Sequence, residues 1–203
     1  MNKSRFEAFS DGVFAFAITL LALGFVLPEL SFQTNRALSG ALLRLWPDLL
    51  AFSLSFFVIG LMWQNHHALF RVVRHIDRKT VFWNLLLLAS TVLIPFATKT
   101  LGSYPTMPAS TFLYGLVLST SAAFFNLMLT HLARSAAFAP EVTASAIADA
   151  ERGYRLGLIV YAAATLLALV LPVVSFGAYV AIVIYFLVPR GDDSDAPLSA
   201  RRW

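Results

Sequence analysis

Arg5-Phe6-Glu7-Ala8-Phe9-Ser10-Asp11-Gly12-Val13-Phe14-Ala15-Phe16-Ala17-Ile18-Thr19-Leu20-Leu21-Ala22-Leu23 is the stretch on which the fold turns. From Gly12 to Leu27 it carries no charge, and Phe6 to Leu27 as a whole has the length that a membrane-spanning helix needs, about 20 mostly apolar residues. Comparable runs follow at Leu49 to Phe70, Thr80 to Thr98, Thr111 to Leu132, Tyr154 to Leu171 and Val174 to Val188. The sequence thus predicts an all-α, polytopic membrane protein with about six spanning helices. The last two runs are separated by Pro172, which rules out one long helix and predicts a tight helical hairpin. The connection from Pro28 to Pro47 sets Glu29, Arg36 and Arg44 among leucines, as a short interfacial helix does. The Ala-rich, polar stretch from Ser135 to Gly153 is expected to extend a helix into water.

Composition requires the same solvent. Of 203 residues, 59% are hydrophobic and 13% charged, with a mean hydropathy of +0.74. A chain this short cannot hide so much apolar surface in one water-soluble core. The absence of cysteine excludes thiolate metal sites, disulfides and Cys nucleophiles. The net charge of +4 does not point to nucleic acid, because the Lys and Arg lie between apolar runs as membrane-flanking residues do. Lys3 and Arg5 ahead of an apolar run resemble a signal peptide, but Glu7 and Asp11 intrude and no small-x-small cleavage site follows, so the segment reads as a retained first helix.

Basic residues set the expected orientation. Lys3 and Arg5, then Arg71, Arg74, Arg78 and Lys79, then Arg134, Arg152 and Arg155, and finally Arg190, Arg201 and Arg202 fall on one side; Arg36, Arg44 and Lys99 fall on the other. Both termini are therefore expected in the cytoplasm, in a multi-pass protein of the cell membrane. Residues 1–190 form the expected transmembrane domain. Residues 191–203, which mix Asp192, Asp193 and Asp195 with arginines, form a solvated, disordered tail. No internal repeat supports the inverted-repeat plan of many transporters.

Asp11 is costly in or near hydrocarbon unless paired or wet, which makes it a candidate functional residue; the competing reading places it at the interface, favouring a helix N-terminus. Phe16, Leu20 and Leu23 share a stripe at i, i+4 and i+7, with Thr19 adjacent. In a monomer that stripe is packing surface, and in a symmetric assembly it lines a pore. A second cluster, Trp63-Gln64-Asn65-His66-His67, ends the second helix, and Trp83-Asn84 opens the third. A short basic connection makes these helices antiparallel neighbours and brings His66, Asn84 and Asp11 to similar depth, where they can satisfy one another. The alternative has His66 and His67 reach the interface beside Arg71.

Only four histidines exist, His66, His67, His75 and His131, too few for the histidine boxes of membrane di-iron enzymes; a zinc site needs three or four convergent ligands. Nothing specific supports a haem between His66 or His67 and His131, and Asn126 and His131 read as polar packing residues. No nucleotide-binding glycine motif, nucleophile elbow or carboxylate pair is present, so no catalysis is expected. The TVGYG filter of conventional potassium channels is also missing.

Arg5-x-x-x-Phe9-Ser10-Asp11 leading into Phe14-Ala15-Phe16-Ala17-Ile18-Thr19-Leu20-Leu21, with Trp63-x-x-His66-His67 and Trp83-Asn84, resembles the signature of the transmembrane protein 175 family. The match covers roughly the first half of the chain; beyond it, only helix number and hydrophobicity agree. The resemblance implies a potassium-conducting cation channel without cofactor, whose partners are lipid, monovalent cations and further copies of itself. It implies a homotetramer with first helices around a central pore, Phe16 at the apolar constriction with Leu20 and Leu23 above it, and Thr19 offering hydroxyls to a partly dehydrated cation. It also implies that Arg5, Ser10, Asp11, Trp63, His66 and Asn84 form a polar network holding the pore helix. The chain departs from the pattern at Phe16, where a branched aliphatic is usual. A ring of aromatic side chains either dewets the pore or swings aside and offers ring faces to cations. The alternative function is a proton-coupled transporter or proton pathway using Asp11 and His66. A membrane enzyme or haem protein is a third reading, testable by an absorption spectrum.

Overall fold

The computed structural model describes residues 2–27 and 34–187, so the tail at 191–203 lies outside the described residues. Helix α1, Lys3–Leu20, opens on Asn2, whose side chain accepts the Ser4 amide, and closes in a 3-10 turn, Leu21–Gly24. The short α2, Asn35–Arg44, is capped by Thr34 and lies in the connection where the sequence suggests an interfacial helix. Helix α3, Trp46–Val72, has Pro47 in its first turn, where a missing N–H costs nothing.

The apolar run from Thr80 is broken, contrary to the single helix expected over Thr80 to Thr98. Helix α4, Arg78–Val92, ends and α5, Ile94–Ser103, begins across Leu93 alone. Pro95 is the cause: it has no N–H for the carbonyl four residues back and its ring crowds that position. Hydropathy does not register such a break, because α4 and α5 continue one apolar path, Arg78–Ser103.

Helix α6, Pro108–Arg134, stops where Ala136 adopts a φ of 50° and the Ala137 amide turns back to the Leu132 carbonyl. This is a Schellman-type end, with alanine where glycine is usual. The helical extension expected over Ser135 to Gly153 is therefore interrupted by a loop, and α7, Ala144–Leu167, starts only after the Thr143 cap. Helix α8, Pro172–Leu187, returns beside it as the predicted hairpin.

Among the described residues, four helical paths can cross a membrane by length and composition: Lys3–Gly24, Trp46–Val72, Arg78–Ser103 and Pro108–Arg134. The two further crossings read from the sequence fall on shorter apolar stretches: α8 has 16 residues, and α7 is apolar only beyond Asp149, Glu151, Arg152 and Arg155. The core has two lobes. One gathers Phe14, Ala17 and Leu21 with Val58, Ile59, Ile94, Leu101 and Tyr114; the other gathers Phe6 with Leu69, Phe70, Leu87, Met128 and Leu132. Helix α1 takes part in both, packed on α3, α4 and α5.

Candidate functional site

Helix α1 has two unlike faces. Phe6, Ser10, Phe14, Ala17 and Leu21 point into the bundle. Arg5, Ala8, Phe9, Gly12, Ala15, Phe16, Thr19 and Leu23 point out of it, with Phe16 63% and Leu23 74% exposed. Leu20 sits half-buried on the flank. An aromatic and aliphatic stripe left uncovered along a helix whose opposite face is packed is a surface made to meet something other than water. Thr19 belongs to it: its hydroxyl donates to the Phe16 carbonyl at 2.8 Å and keeps acceptor capacity on the exposed side.

The inward face is fixed by a polar chain at the Lys3 end of the bundle. His66 on α3 is 1% exposed, and its Nε2 lies 2.9 Å from Asn84 Oδ1 on α4. Asn84 Nδ2 donates to Ser10 Oγ on α1 at 3.0 Å, and Ser10 donates to the Phe6 carbonyl. Because Asn84 Oδ1 can only accept, His66 is the Nε2–H tautomer in this arrangement. The imidazole sits among the rings of Phe6, Phe14 and Phe70, with Phe70 closest at 4.6 Å between centroids. Three helices are thereby joined through groups that hydrocarbon could not otherwise solvate.

Asp11 stands apart from that chain. Its Oδ1 accepts from Trp63 Nε1 at 2.9 Å, and Trp63 stacks on the exposed His67. Arg5 lines an open groove with Asn2, Phe6, Phe9, Val81, Asn84 and Leu85, beside the first set but without a hydrogen bond to it among the described residues. Of the residues named from the sequence, the structure brings together Ser10, His66 and Asn84 in one chain and Asp11 with Trp63 in another. Arg5 shares a groove with Asn84 without bonding to it.

Other polar contacts had no signal in apolar periodicity. At the Lys3 end, Lys3 Nζ donates to the Val73 carbonyl at 2.8 Å, and Val73 forms an isolated antiparallel bridge with Phe138. Asp77 caps α4 through the Thr80 amide and hydroxyl and meets His131 Nε2 at 2.9 Å. Desolvation raises the Asp77 pKa, but hydrogen bonds from Thr80 and His131 outweigh it and lower it to about 2. The Asp77-x-x-Thr80 cap was available in the sequence as a helix-start signal. Deeper in the bundle Ser55 bridges Thr98 and Tyr114, and Thr165 meets Ser119 and Tyr179. Among the described residues no group of three or more His, Asp or Glu side chains is placed to hold a metal ion.

Comparison with known proteins bears on the same helices. A family model described as the endosomal/lysosomal potassium channel TMEM175 matches residues 5–95, which hold most of α1 and all of α2, α3 and α4. A potassium channel of Chamaesiphon minutus is 36% identical over 189 residues, covering 91% of this chain and 93% of that protein. The chain belongs to the TMEM175 family. A potassium channel of Streptomyces collinus is likewise 36% identical, over 92% of each sequence. The crystal structure of a lysosomal potassium-selective channel TMEM175 homolog from Chamaesiphon minutus superposes with a TM-score of 0.81 at 35% identity, covering 91% of this chain and 95% of that one. Membership in TMEM175 makes the chain a membrane protein of an ion-channel family.

Proposed function

We propose that the chain is a potassium-conducting cation channel, a homotetramer in which four α1 helices surround a central pore constricted by Phe16, Leu20 and Leu23. The observation that carries this reading is the uncovered outward face of α1, apolar at Phe16 and Leu23 and hydroxylated at Thr19 between them. The potassium channels that resemble the chain over most of its length supply the choice of ion.

The mechanism follows from the side chains. A cation reaching the Phe16 ring must shed part of its hydration, so that ring sets the barrier, and dewetting between the rings closes the path without a plug. Four Thr19 hydroxyls, one turn further on, replace some of the lost water. Four Phe16 ring faces contribute cation–π attraction when they turn toward the axis. The His66–Asn84–Ser10 chain holds α1 against α3 and α4, so that helix movement rather than local softness opens the pore. Conduction needs no cofactor, and no bond is made or broken. Residues 1–190 are the conducting unit, crossing the cell membrane several times with both termini in the cytoplasm.

Purified protein in liposomes with a potassium gradient tests this. Wild type is expected to pass potassium without valinomycin, Phe16→Ala to pass it faster, and Phe16→Asn to change the ratio of potassium to sodium. A protein that stays monomeric in lipid would sink the central pore. If potassium fails to move in all three while a pH-sensitive dye reports proton flux abolished by Asp11→Asn, the proton-pathway reading replaces this one.

A further inference from the structure

At the end of the bundle opposite His66, α1, α3 and α5 meet around one ion pair. Lys99 Nζ on α5 lies 3.1 Å from Asp48 Oδ1 in the first turn of α3. Asp48 precedes His66 by eighteen residues, about 27 Å of helix, so the pair lies near the far membrane face. The Asp48 side chain is largely enclosed, and that of Lys99 is more open. Gly102 sets the close approach at the pair, and Gly24 lies beside it. A Cβ added at Gly102 would stand 2.7 Å from Asp48 Oδ1 and 2.8 Å from its Cα, so α5 and α3 touch there without an intervening side chain. A Cβ at Gly24 would stand 3.8 Å from Lys99 Cδ and 3.9 Å from its Cβ, so the lysine stem lies along the last residue of the turn that continues α1. Gly24 follows Leu23, an outward residue of the stripe assigned above to the pore.

We propose that the Asp48–Lys99 pair sets the electrostatic potential at the outer mouth of the pore. This assignment rests on the channel reading. In a four-fold assembly the pair recurs around the exit of every α1 helix, and its near-neutral sum replaces what would otherwise be a ring of four ammonium groups or four carboxylates. Charges act on permeating ions over about 8 Å at physiological salt, the screening length there, and over longer distances when salt is low. Lys99 neutralises a carboxylate ring that would concentrate cations. Asp48 in turn masks an ammonium ring that would repel them.

The test is potassium flux and unitary conductance of the reconstituted full chain, in about 20 mM and about 1 M KCl, spanning strong and weak screening. At low salt Lys99→Met is expected to raise cation entry from the outer side, and Asp48→Asn to lower it, each by about two- to fivefold, since such fields act on local ion concentration. The double variant and Lys99→Arg should return near wild type, and in high salt the differences should shrink toward unity. A purely structural pair predicts something else: both single variants lose flux in the same direction, independent of salt, and that result overturns the assignment. Should Asp48→Asn fail to assemble, Lys99→Met against Lys99→Arg still gives the sign. Wild type that passes no potassium overturns the channel reading and this assignment together, whereas conducting wild type with salt-independent variants overturns this assignment alone.

Discussion

Asn84 does what few side chains can, accepting from His66 through Oδ1 while donating to Ser10 through Nδ2. Asn84→Leu leaves the His66 Nε2–H without an acceptor among the rings of Phe6, Phe14 and Phe70, at about 1–3 kcal/mol for an orphaned buried group, while Ser10 loses one donor but keeps its bond to the Phe6 carbonyl. The expected outcome is a lower melting temperature in detergent, with Ser10→Ala milder because the His66–Asn84 bond then survives; equal melting of Asn84→Leu and wild type would remove the chain's stabilising role. Asp77 behaves differently because it is half-exposed and titrates. Its pKa is depressed from 3.8 to about 2 in the folded protein, so its stabilising contribution is present in full above about pH 4 and disappears as the pH falls through 2. The melting-temperature gap between wild type and Asp77→Ala should therefore hold from pH 7 to 5 and narrow toward pH 2. Meetings of this kind were partly legible in the sequence. The short connection between α3 and α4 fixed which residues of those helices share a depth, and His66 and Asn84 follow from that. The direction of Arg5 did not, because a long side chain at a helix end has several places to go and periodicity does not choose among them.

At the scale of the helix, glycine decides how closely two elements approach. A Cβ at Gly115 on α6 would overlap the Tyr179 hydroxyl of α8 and Thr165 of α7, so these three helices meet at that point. Gly115→Ala should force them apart at about 1–3 kcal/mol, the usual cost of overpacking. Gly153 on α7 has nothing within 4 Å of an added Cβ, and Gly153→Ala should raise stability by up to ~1 kcal/mol through helix propensity. Thermal unfolding of the two variants in one detergent would show opposite shifts; a shared sign would mean that packing at Gly115 is not what limits stability there. Neither glycine's role could be read in advance, since an apolar run records which residues avoid water and not which neighbours they meet. The same blindness hid the break at Pro95: both α4 and α5 are apolar, and only the missing proline N–H divides them. The Schellman-type end at Ala136 was harder still, because alanine gives no warning of a positive φ.

The bundle covers only one face of its first helix. Helix α1 buries Phe6, Phe14 and Leu21 inside the subunit and leaves Phe9, Phe16 and Leu23 uncovered along its length, so lipid or another copy must cover that side. Ile159 is exposed as well, on α7, which packs on α6 and α8, and in the proposed assembly lipid covers it. The two cases are separable because the sequence contains no cysteine, so a single introduced thiol reports alone. In the proposed four-fold pore, residue 16 would lie close to the axis and to its symmetry mates, and residue 159 would lie away from them. Phe16→Cys in membranes is expected to form disulfide-linked dimers under mild oxidation and, in liposomes, to lose potassium flux when a water-soluble cationic thiol reagent is added. Ile159→Cys should stay monomeric on denaturing gels and conduct unchanged under the same treatment. Cross-linking at both positions alike would mean random collision in the bilayer. Ready cross-linking at residue 159 with none at residue 16 would place the subunit contact on α7 and turn the outward face of α1 toward lipid, and the pore would then have to be sought inside the single bundle.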